Sequence, residues 1–179
     1  MKHLAWVLLT IALLAMEAPL LRQIDRWWLA PDMLVLTALY LGSRSTWTLG
    51  LLCAAGLGLA KDAFCLAAPV GVFTEIGALT FVVTRLLGRR VDLTSALPTM
   101  AAAGGATFGA VAVFLALEAI FHRSFDAFEE VLRAAPSMAL GTMVLAPLIF
   151  GLYDRVGGSF ATRDRMRALP DRPRRSLDR

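Results

Sequence analysis

The side chains that could do chemistry in this chain are three carboxylates set inside apolar runs: Glu17, Glu75 and Glu118. An acid in an apolar segment is expensive and is by default a candidate for function. All three fall near one end of their runs, so they are candidates for a shared polar pocket or a partner contact, against local hydrogen bonding at a membrane surface. No base, nucleophile or electrophile accompanies them. Cys53 and Cys65 have no metal-ligand partners at useful spacing, and His3 and His122 are isolated. No metal site and no disulfide framework is expected. There is no HExxH, no phosphate loop and no serine with a nearby histidine. The glycines at 104, 105 and 109 lie in an apolar run and not in a strand–turn–helix unit. The expectation is a protein that is not an enzyme and needs no cofactor.

The elements that hold these acids are long apolar blocks. The chain is 58% hydrophobic and carries a net charge of +4. Its basic residues lie at block ends and in the C-terminal tail, not on a face interleaved with aromatics, so nucleic acid is not an expected partner. Six spans can be drawn: Leu4–Leu21, Met33–Gly42, Trp47–Ala60, Pro69–Leu87, Leu97–Phe121 and Pro136–Tyr153. The first is longer than a signal-peptide core and has no small-x-small cleavage site after it, so it reads as retained. The second and third are short of the roughly 20 residues needed to cross a bilayer. They are expected as a short helical pair, buried among the others or extended at its ends. Trp27, Trp28 and Trp47 fit interfacial anchors. The fold expected is all-α, a polytopic membrane bundle over residues 1–154. A basic, disordered tail is expected over 155–179, because arginine, aspartate and proline there leave little to bury.

Lysine and arginine set the orientation. With both termini in the cytoplasm, Lys2, Arg44, Arg85, Arg89, Arg90 and the arginines of the tail lie inside. Arg22, Arg26, Lys61, Arg123 and Arg133 lie outside. The tail and the Arg85–Arg90 connection carry that bias. The connection at 122–135 would face the periplasm and, from the spacing of Phe125, Phe128, Val131 and Leu132, hold a short interfacial helix.

Small residues recur at helix-packing spacing. Gly50, Ala54 and Gly58 form one row, and Gly105 and Gly109 form a GxxxG pair one turn after Ala101 and Ala102. Such rows let backbones approach closely in lipid. They serve packing inside the bundle, or one of them meets a partner's helix. Pro31-Asp32 suits the first turn of the second span. Lys61 and Asp62 are adjacent on a helix and do not face each other. Asp62 is expected to cap or fix the turn toward Pro69.

Pro31-Asp32, Gly56-Leu57-Gly58, Asp62 and Pro69-Val70-Gly71, in that order between apolar segments, resemble the central stretch of the rod shape-determining protein MreD family. The resemblance covers about residues 30–90; beyond them only hydropathy matches. It implies a bundle like the substrate-binding subunits of energy-coupling-factor transporters. It implies an inner-membrane scaffold of the cell-elongation complex that maintains cell shape. Its direct partner would be MreC, with MreB filaments, RodA and a class B penicillin-binding protein in the same complex. Pro31, Asp32, Gly58, Asp62, Pro69 and Gly71 are the structural or partner residues it points to, with Gly105 and Gly109 added from the packing pattern. The architectural likeness also supplies the competing expectation of a vitamin-binding transporter subunit.

Overall fold

The computed structural model describes residues 8–15, 31–64, 71–88, 95–121 and 128–157. All of the regular structure in them is helical. Residues 8–15 form α1; then come α2 (Met33–Arg44), α3 (Trp47–Phe64), α4 (Val72–Leu87), α5 (Ala96–Phe121) and α6 (Phe128–Gly157). From α2 onward successive helices run antiparallel. Arg44 of α2 pairs with Asp154 of α6 at 3.5 Å, and Trp47 of α3 packs edge-on to Phe81 of α4. At the opposite end Asp32 of α2 meets Lys61 of α3, and Phe73 of α4 stacks on Phe114 of α5.

The helices differ in length by design of the sequence. At 1.5 Å per residue, α2 is about 18 Å long, α3 and α4 about 24–27 Å, and α5 and α6 about 39–45 Å. Among the described residues, α5 and α6 are the two helices long and apolar enough to cross a membrane by themselves. They are not buried core helices, since about 28% and 33% of their apolar windows are buried. Leu97, Ile120, Leu140, Val144 and Leu148 all face outward. The second span is two residues longer than the sequence suggests, ending at Arg44, and every residue from Leu34 to Gly42 is buried. The third is extended by one turn, to Phe64.

Two boundaries need correction. The last helix does not begin at Pro136 but eight residues earlier, at Phe128. The separate interfacial helix expected before it is therefore the first part of α6. Proline inside a helix removes one hydrogen bond and crowds the preceding turn. Here Pro136 is flanked by Ala134, Ala135, Met138 and Ala139, whose helix preference and burial outweigh that loss. The bundle also runs past residue 154, because Asp154, Arg155 and Val156 are helical. The rest of the tail, the Trp27-Trp28 pair and Cys65 lie outside the described residues.

The core joins α2 to α3, α4 and α6 through Leu36, Leu39, Tyr40, Ala54, Phe81, Ala146 and Phe150. The row at Gly50, Ala54 and Gly58 packs internally. A Cβ on Gly58 would strike the Phe73 carbonyl and the Thr74 Cα, and one on Gly77 would lie 2.7 Å from the Ala54 carbonyl oxygen. Backbone, not a movable side chain, fills that space. Gly58→Ala should therefore lower the stability of the detergent-solubilised protein by about 1–3 kcal/mol. Gly56→Ala, two residues away with nothing near its Cβ, should leave it unchanged or raise it by up to about 1 kcal/mol through helix propensity. Thermal unfolding of the two variants side by side checks the contrast.

Candidate functional site

The residues singled out between 31 and 71 converge on the starts of two helices. The first four N–H groups of any helix lack partners within it. For α2 two of them are served by Asp32, whose Oδ1 accepts from the Leu34 and Val35 N–H at 3.0 and 3.3 Å. The same oxygen receives the Lys61 ammonium at 3.1 Å, and the Asp32 N–H donates to Thr142 Oγ1 at 3.1 Å. Both side chains of the pair are only 12% exposed. Lys61 also stands 4.9 Å from the centre of the Phe73 ring. One carboxylate thus ties α2 to α3, and its own amide ties α2 to the middle of α6.

The start of α4 is met differently. Its N-cap is Gly71, at φ +110°, a conformation that suits glycine and leaves no side chain to cap with. Asp62 does the work from α3. Its carboxylate accepts from the Phe73 and Thr74 N–H at 3.0 and 3.1 Å and from the Thr74 hydroxyl at 2.7 Å. These are the second and third helical positions, which an N-cap side chain ordinarily serves. Lys61 and Asp62, adjacent in sequence, therefore bind two different helices. Pro31 precedes the cap and is half-buried, and Pro69 lies outside the described residues.

Two of the three acids lie within the described residues. Glu75 is exposed on the first turn of α4, whereas Glu118 is buried in α5. Glu118 is thus no surface-reaching acid, as its place near the span's end suggested. Glu17 lies outside the described residues. No group of three or more His, Cys, Asp or Glu able to hold a metal occurs among the described residues.

Sequence reasoning missed a second polar cluster. The hydroxyls of Thr37 and Tyr153 lie 2.8 Å apart, Thr37 also donates to the Met33 carbonyl, and Thr10 of α1 bonds Tyr153. Tyr40 donates to Asp154 at 3.1 Å. Its ring packs against Tyr153 and Phe150 at 4.9 and 5.3 Å. Hydroxyls inside apolar runs are the available sequence signal, since threonine and tyrosine there need partners in a neighbouring helix.

Gly105 and Gly109 make no close contact inside the bundle. A Cβ at either meets nothing within 4 Å. They floor an apolar groove of about 530 Å³ between α4 and α5. The glycine of α5 that does pack is Gly104, which lies against Met143 of α6. The reason is register. Moving one residue along a helix turns it by about 100°, and Gly104 falls on the buried row of α5 with Thr99, Ala103 and Thr107 while Gly105 does not.

Comparison with protein-family models, with curated proteins and with solved structures gave no match.

The buried pair yields a graded prediction. Asp32→Ala removes the α2 cap and the carboxylate 3.1 Å from Lys61, and breaking a buried pair costs about 3–5 kcal/mol. Lys61→Met should cost less, because the Asp32 carboxylate keeps two N–H donors and the favourable end of the α2 dipole. Asp32→Asn combined with Lys61→Met should recover to within about 1–2 kcal/mol of wild type, as asparagine caps nearly as well as aspartate. Unfolding in mixed detergent micelles gives the order. Equal costs for both single variants would remove the capping account.

Proposed function

We propose that this chain is a multi-pass inner-membrane scaffold of the bacterial cell-elongation complex. It would hold MreC directly and, through it, link MreB filaments to the peptidoglycan synthase formed by RodA and a class B penicillin-binding protein. One observation carries the reading. The residues that make the sequence resemble the MreD family (Asp32, Gly58, Asp62 and Gly71) act together as one clasp that starts two helices and fixes their approach. Such residues are invested in shape, as a scaffold requires.

The membrane part of the proposal draws on the outward faces of α5 and α6. Leucine, isoleucine and valine cover them, and contiguous exposed apolar surface on this scale marks contact with lipid or a partner. Orientation follows from charge. Arg44, Arg85 and Arg155 share one end of the bundle, and Arg89, Arg90 and the tail extend that end in sequence. By the positive-inside rule this end faces the cytoplasm.

In a host strain lacking the chromosomal copy, the gene should restore normal cell width, and the protein should co-purify with MreC from membranes. A reporter active only in the periplasm, fused after Arg179, should be silent. Normal width without the gene, together with no MreC above control, would end the scaffold reading. Strong reporter activity would reverse the orientation.

A further inference from the structure

We draw no further inference here: the strongest candidate, the apolar groove between α4 and α5 floored by Gly105 and Gly109, is an unpartnered apolar face, and nothing in the structure shows what covers it.

Discussion

A helix of 12 residues buried on every side has to begin somewhere inside the bundle, and the rest of this structure follows from how that beginning is satisfied. The start of α2 is level with Thr142, halfway along α6. Its unpaired N–H groups are out of reach of water, and each would cost several kcal/mol left alone in an apolar surrounding. Asp32 answers two of them and brings a charge that must be matched in turn. Lys61 matches it, which fixes where α3 ends. Asp62, next along, then fixes where α4 begins. Three charged residues and one hydroxyl thus determine the relative height of four helices.

Close packing makes that height consequential. Gly58 and Gly77 bring α3 and α4 to backbone contact, and Gly42 sits where a Cβ would lie 2.7 Å from Thr84 Cβ. A contact of this kind exists at one register only, because a slide of one residue puts a side chain where a glycine was. The polar clasp and the glycine row therefore enforce the same arrangement from different physics. One is electrostatic and local to the helix ends; the other is steric and runs along the helices. The Thr10–Tyr153–Thr37 cluster does for α1, α2 and α6 what the clasp does for α2, α3 and α4.

Much of this was legible in the sequence, for reasons that separate it from what was not. Asp32 as a cap follows from its place before an apolar run, and the packing role of Gly50, Ala54 and Gly58 follows from spacing four. The partner of Lys61 was not legible, because a cation's partner lies on another helix and hydropathy carries no register between helices. Glu118 looked like a surface-reaching acid because position along a span is visible in sequence and rotation about the helix axis is not. The same blindness left Gly105 and Gly109 open between packing inside the bundle and a partner's helix. Helix α5 is apolar around its whole circumference, so no pattern says which of its glycines faces α6. Pro136 misled for the opposite reason, as a strong local signal overridden by the burial of its neighbours.

The open groove is the other side of this bookkeeping. Helix α4 gives one side to α2 and α3 through Gly77, Phe81 and Thr84, and α5 gives one side to α6 through Ala103, Gly104 and Thr107. The two pairs come together at one end, where Val72, Phe73 and Ile76 of α4 pack with Ala110, Val113 and Phe114 of α5. Toward the other end α5 offers Gly105, Ala102 and Ala101, too small to reach the leucines and valines of α4. The groove between the two helices follows from that mismatch in side-chain size along their facing rows.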